Sequence, residues 1–241
     1  FSRYEFMIAW RYLRARRAEG GVSVMTWISL VGITLGVMAL IATLAVRAGF
    51  RAEFVDTILG ANAHSTVYYP PRSTYNELTG ETYVTTGRIG DYDAMAARIA
   101  ALPGVVGAVP VVRGQVMAAQ GDTANVAEVH GMTRAALERM PRIVDPATSS
   151  GDLGSFDRGI AIGVGLAREL GVDVGDRLRL IAPDGAKTPF GTTPRVESFD
   201  VVYVFSAGRY DIDRTRIYMP LAEAQSFFNR EGVADEIEVF V

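Results

Sequence analysis

The side chains able to do covalent or metal chemistry are few in this chain, and their spacing does not favour it. His64 and His130 are the only histidines, cysteine is absent, and the sequence shows neither an HxxxH pair nor a His/Glu cluster, so no metal site is expected. Asp91/Asp93 and Asp211/Asp213 hold the right atoms for general acid and base work. Each pair falls at an expected helix cap or turn, where solvated carboxylates are the norm. Gly185-Ala186-Lys187-Thr188 ends like a phosphate-binding loop, but that motif needs Lys directly after Gly and an earlier glycine; here Ala186 intervenes and Pro183-Asp184 precede. No catalytic residue, metal or cofactor is expected.

Recognition is the better use of the same stretch. Lys187-Thr188-Pro189-Phe190-Gly191, followed by Thr192, sits in an expected loop from Asp184 to Arg195 between two strands. An aromatic flanked by Pro and Gly on an exposed loop can anchor in a partner's groove, the alternative being that Phe190 folds back onto its own domain. Gly32 and Gly36 form a GxxxG pair in an apolar segment, which lets a second membrane helix approach closely.

The element that must position all of this is the uncharged run from Ser23 to Val46. At about 1.5 Å per residue it makes a helix roughly 36 Å long, enough to cross a hydrocarbon core of about 30 Å. It is too long for the apolar core of a signal peptide, and Ala45-Val46-Arg47 is a poor cleavage site. Before it stand Arg3, Arg11, Arg14, Arg16 and Arg17 against Glu5 and Glu19, a local balance of +3 in a chain of net charge −3, so the remainder carries −6. By the positive-inside rule the N-terminus is cytoplasmic and everything after Arg47 lies outside. Phe6, Trp10 and Leu13 recur at helical spacing in the basic lead, as in a helix lying along the inner surface near lipid phosphates. The expected organisation is therefore a basic interfacial segment (1–22), a transmembrane helix (23–47), a helical stalk (48–62) and an outer α+β domain (63–241) of two subdomains.

About 195 residues follow the span, ample for one or two domains with their own cores. Their net acidity argues against nucleic acid as ligand, and only Lys187 among the 24 basic residues is lysine. Phe50, Phe54, Ile58 and Leu59 extend the helix to Gly60. A strand is expected over 65–69, a polar turn-rich stretch over 72–90, and a helix over 91–102 capped by Asp91 or Asp93 with Met95, Ile99 and Leu102 as its stripe. Val105–Ala119 and Val126–Gly131 read as a hairpin turning at Gly121-Asp122. A short helix over 133–140 and an irregular stretch over 141–156 follow. Ile160–Gly185 then gives strand, helix, a stop at Gly171 and a second strand. Val196–Phe205 is a strand with Phe199, Val201, Tyr203 and Phe205 on one face. A polar turn (209–214), a strand (217–219), a helix (221–228) and a strand from Glu236 complete the pattern, which is expected to continue beyond Val241.

Taken together, these pieces resemble the N-terminal half of the lipoprotein-releasing ABC transporter permeases, the LolC/LolE family. The residues that carry the likeness are Ala9-Trp10-Arg11-Tyr12-Leu13-Arg14, Gly32-Ile33-Thr34-Leu35-Gly36-Val37, Gly49-Phe50 with Glu53 and Ile58-Leu59-Gly60, the Gly163–Asp176 block, Asp213–Met219 and Leu221-Ala222-Glu223-Ala224. The Gly163–Asp176 pattern is shared with the wider class of macrolide-exporter-like and cell-division permeases. Arg47-Ala48 departs from the family's usual Met-Asn before Gly-Phe, so local contacts at the membrane exit are not carried over.

The resemblance implies a bacterial inner-membrane protein with a mixed α/β periplasmic domain of the macrolide-exporter type. It would pair with a second permease and two cytoplasmic ABC ATPase subunits, and pass lipoproteins to a periplasmic LolA-like carrier. It also implies that the 184–195 loop is the hook that docks the carrier, as in LolC-type members, with Pro189 and Phe190 at its tip. Met38, Ile41, Leu44, Phe50 and Phe54 become candidates for a lipid-facing cavity wall; they would equally pack on further membrane helices. A competing class is a related permease that regulates an outer partner without transporting lipoproteins.

Overall fold

A computed structural model describes residues 3–14, 20–59, 62–76, 80–85, 87–188 and 191–241. The chain divides into two units, Phe1–Phe54 and Val55–Val241. Helix α1 (Arg3–Arg14) carries Phe6 and Trp10 one turn apart, their rings stacked at 6.3 Å. Helix α2 (Gly20–Leu59) contains the expected span and its extension as one continuous helix. Within it Val24–Arg51, 28 residues with a mean hydropathy of 2.3, is long and apolar enough to cross a bilayer. The hydroxyls of Thr34 and Thr43 donate to the carbonyls of Leu30 and Ala39 at 2.7 and 2.8 Å, so these polar groups are satisfied inside the helix. Gly60, the expected stop, lies outside the described residues.

The second unit contains β1 (Ser65–Tyr68), β2 (Arg72–Asn76), β3 (Glu81–Thr85), α3 (Tyr92–Ala100), β4 (Gly107–Gln120), β5 (Thr123–Met132), α4 (Arg134–Leu137) and β6 (Ser150–Gly151). A 3-10 helix (Leu153–Arg158), β7 (Ile160–Gly163), α5 (Val164–Leu170), β8 (Arg177–Thr188) and β9 (Gly191–Phe205) follow. The last elements are α6 (Tyr210–Thr215), β10 (Arg216–Pro220), α7 (Leu221–Phe227) and β11 (Glu236–Phe240).

Apart from the β2/β3 hairpin, the described strands form one sheet in the order β1-β11-β4-β5-β10-β7-β9-β6. Strand β8 pairs antiparallel with both β4 and β9. As a result β4, β5, β10, β7, β9 and β8 close into a ring, in which β5/β10 and β7/β9 are parallel. Closure leaves no open edge in the ring.

Side-chain alternation fills both sides of this ring. Val116, Val129, Ile160, Ile162, Leu180 and Ile217 are buried in one cluster, with α5 and α7 supplying Leu166 and Phe227. The opposite phase sends Ala161, Phe205 and Tyr218 into a second cluster with Phe156 of the 3-10 helix. A third, under α3, holds Ile89, Ala96, Ile237 and Val239. Strand β4 changes partner along its length, from β11 over Gly107–Val111 to β5 over Val112–Gln120. Adjacent on the strand, Val111 and Val112 face different cores.

The β4/β5 hairpin turns at Gly121-Asp122, where Gly121 takes φ 55°. Helix α5 ends at Gly171 in the left-handed conformation. Elsewhere the sequence reading needs correction. The turn-rich 72–90 stretch contains the β2/β3 hairpin and the buried Ile89, because β-branched and aromatic residues there outweigh the polar ones. Helix α3 stops at Ala100; it buries Ala96 and half-buries Met95 and Ile99, while Leu102 is exposed and the side chain of Asp91 makes no capping bond. The stretch 141–156 includes β6 and the start of the 3-10 helix. Residues 209–214, expected as a turn, are largely helix α6, which buries Ile212. On β9 the register shifts, with Ile160 opposite Val201 but Ala161 opposite Tyr203. Val201 therefore joins the first core and Tyr203 and Phe205 the second, not one shared face.

Candidate functional site

Strands β8 and β9 pair from Arg177↔Asp200 to Thr188↔Gly191, so the expected 184–195 loop is a correction too: it is the outer part of a long hairpin. Lys187↔Thr192 and Thr188↔Gly191 are ladder pairs. Threonines at 188, 192 and 193 favour a pleated backbone over an open loop. Pro189 and Phe190, between the strands in sequence, lie outside the described residues.

The hairpin is interrupted once. Between Ala182↔Arg195 and Ala186↔Thr193 the register slips, leaving residues 183–185 opposite Pro194. Proline has no N–H for the ladder, so a break at this point forfeits no donor from Pro194. Gly185 is buried there, and a Cβ on it would press into Thr193 O and lie 2.7 Å from Pro194 C. The slip separates a root, which belongs to the ring, from an arm that projects past it.

The root is tied to the end of α7. Asn229 donates through Nδ2 to Gly185 O at 3.0 Å and accepts through Oδ1 from Arg195 Nη2 at 3.0 Å. Arg195 Nη1 also donates to Ser226 O. On the outer side of the ring, register places Val126, Met117, Ile181 and Val196 in one row across β5, β4, β8 and β9. Val126, Met117 and Val196 are 66%, 46% and 57% exposed, an apolar band leading to the arm's root. Beside it a cleft of about 330 Å³ is lined by Gln120, Gly121, Arg177, Arg179 and Ser198.

A second polar feature lies on β5 and β11. His130, 3% exposed, has Nε2 3.2 Å from Glu128 Oε2 and Nδ1 3.6 Å from Glu238 Oε1. The fold thus brings Glu238 of β11 beside the Glu128-Val129-His130 stretch of β5. Arg113 Nε donates to Glu128 Oε1 at 2.7 Å, and Arg216 Nη2 stands 3.8 Å from Glu128 Oε2. The hydrogen bond with His130, then that with Arg113, outweighs burial and holds the Glu128 carboxyl at about 2, against an ordinary 4.5. Burial pushes Glu236 upward and the Tyr218 hydroxyl to about 12. A depressed carboxyl contributes stability above its unfolded value and loses it as pH falls towards the folded one. Melting of the wild type and of Glu128→Gln should therefore differ most above pH 4.5, and the gap should close as pH falls towards about 2. A constant gap across that range would contradict the ion-pair account.

The remaining sequence candidates are not brought together. His64 Nδ1 accepts the Val241 N–H at 2.8 Å, on a different strand pair from His130. Asp211 pairs with Arg209, and Asp213 accepts from Ala207 N–H at 2.6 Å and Ser206 Oγ at 3.1 Å, which are structural roles. Asp91 and Asp93 sit at the start of α3. Among the described residues no group of three His, Cys, Asp or Glu is placed to hold a metal ion. In α2, Met38, Ile41, Leu44 and Phe50 are exposed, whereas the side chain of Phe54 lies outside the described set. A Cβ added at Gly32 or Gly36 would meet nothing within 4 Å, so that face is open for a neighbour.

These features define a class: a mixed sheet domain, with a projecting hairpin, in a chain that also carries an apolar helix of bilayer-crossing length. The chain belongs to the family of the MacB-like periplasmic core domain, whose model matches residues 26–241. It is 31% identical to the lipoprotein-releasing system transmembrane protein LolC of Neisseria meningitidis serogroup B, over 93% of this chain and 51% of that protein. The LolC of Xylella fastidiosa (strain Temecula1) is 31% identical over 97% of this chain and 53% of its own length. The corresponding LolE of Haemophilus influenzae is 29% identical over 92% and 51%. The chain thus spans about half the length of the curated relatives it matches.

Proposed function

We propose that this chain is the N-terminal part of a LolC-like permease subunit in a bacterial inner-membrane ABC transporter that extracts lipoproteins and passes them to a periplasmic carrier. The observation that carries this reading is the β8/β9 arm, rooted on a closed ring of strands, in a chain similar along nearly all its length to LolC. In this account α2 crosses the membrane with the arginine-rich α1 side in the cytoplasm, and the sheet domain lies in the periplasm. The subunit is itself non-catalytic. Cytoplasmic ATPase subunits supply the energy, a second permease completes the transmembrane body, and a LolA-like protein receives the cargo.

Each part then has a physical task. The arm presents Lys187, Thr188, Pro189, Phe190, Gly191 and Thr192 to the carrier, and the apolar band at its root adds contact area. Met38, Ile41, Leu44, Phe50 and Phe54 offer an apolar wall to acyl chains, and Gly32/Gly36 the close approach for a partner helix. Placing a charge at Gly36, as in Gly36→Arg, costs about 2.5–3.5 kcal/mol of insertion near a helix centre and fills the helix contact. The expected result is loss of copurification of the second permease and the ATPase, with the sheet domain still folded; full recovery of the complex would contradict the packing role.

Copurification tests the function as a whole. Lipoproteins and a soluble carrier should accompany the complex isolated from membranes. Recovery of a cell-wall hydrolase or its activator instead would point to the regulatory permeases of the same wider class.

A further inference from the structure

Among the described residues Asn229 is the one non-glycine residue with positive φ, at 53°. It follows Phe228, the C-cap of α7, where a left-handed residue is the usual way to end a helix. Glycine would meet that backbone requirement with less strain, so the backbone alone gives no use to the carboxamide. The contacts do. Nδ2 donates to Gly185 O and Oδ1 accepts from Arg195 Nη2, each at 3.0 Å. One side chain thus bridges both strands of the hairpin at the place where their register slips.

That position matters because, among the described residues, the slip is where the arm's ladder breaks from the ring's. Below it Ala182 is buried in the first core; above it Ala186↔Thr193 restarts the pairing. A slip of one more residue would reverse the face on which every arm side chain emerges. Arg230, the next residue, donates to Arg113 O and pairs with Asp235, while Asp235 Oδ2 accepts the Arg113 N–H at 2.8 Å. The bridge is therefore held by β4 as well as by α7.

We infer that Asn229 is a positioning residue, whose carboxamide, left-handed at the end of α7, fixes the register and direction in which the β8/β9 arm leaves the ring. This rests on the carrier-docking reading of the arm, and the test separates the two. In the full-length permease within its complex, Ala186→Cys and Val126→Cys would carry spin labels; residues 1–241 hold no cysteine, and any elsewhere in the complex is first replaced by serine. Asn229→Gly keeps the backbone and removes both bonds; Asn229→Asp keeps the acceptor for Arg195 and loses the donor to Gly185.

The distance distribution between the labels should be narrow in the wild type, broad in Asn229→Gly and intermediate in Asn229→Asp. In the proteins without the label cysteines, affinity for the purified periplasmic lipoprotein carrier should fall at least fivefold in Asn229→Gly, with partial recovery in Asn229→Asp. A merely structural role would lower the melting temperature without broadening the distances. An unchanged distribution in Asn229→Gly overturns the inference, whatever the carrier does. A wild type that binds no carrier overturns the docking reading and leaves the label distances to decide on Asn229.

Discussion

Replacing Pro189 and Phe190 together by alanine is expected to weaken carrier binding at least tenfold while leaving membrane insertion and the melting of the sheet domain unchanged. The expectation follows from where the pair stands in the chain. Thr188 and Gly191 are ladder partners, and the two residues lie between them in sequence. Aromatic anchors at the centre of an interface cost about 2 kcal/mol or more when truncated, and about 1.4 kcal/mol is a factor of ten. A proline next to the aromatic in sequence limits the conformations that must be given up on docking. Titration of the carrier against wild-type and doubly substituted complexes measures the effect. Equal affinities would remove the arm's end from the interface.

Phe205→Ala should have the largest effect on stability, about 3–5 kcal/mol for removing a fully buried phenyl ring. Phe205 lies on β9 at 0% exposure, its ring 5.2 Å from that of Tyr218 in the second core. Against a typical total of about 5–15 kcal/mol, that loss leaves the sheet domain marginal. The same strand carries the core residue and the arm, so this variant is expected to lose stability and carrier binding together. The tip variant should lose binding alone. Denaturant unfolding followed beside carrier titration separates the two patterns. A loss below about 1 kcal/mol would contradict the packing described for β9.

Features written in local pattern were legible in the sequence. The uncharged run of α2, the β4/β5 hairpin at Gly121-Asp122 and the β7–α5–Gly171 unit each follow from residues close together in the chain. Features set by register were not. Glu128 and His130 alternate on β5, and Glu236 and Glu238 alternate on β11, but only the order β11-β4-β5 brings them together around Arg113. The outer apolar row is similar: Val126, Met117 and Val196 each sit in the solvent phase of its own strand, and only strand order shows that they align. The arm read as a loop because Gly185 and Pro194 are turn residues in isolation; together they make one slip in a ladder that then continues. Asn229 after the α7 pattern carries only the ordinary sign of a helix stop; its partners on β8 and β9 lie more than thirty residues away and have no sequence signal.

The central claim is that the end of the arm meets a lipoprotein carrier outside the inner membrane. A photocrosslinking amino acid at position 190 of the functional complex in intact cells tests it most directly. The account predicts a light-dependent adduct with the soluble periplasmic carrier, lost when the carrier is depleted. No carrier adduct from an active complex, or adducts with cytoplasmic proteins alone, would contradict it.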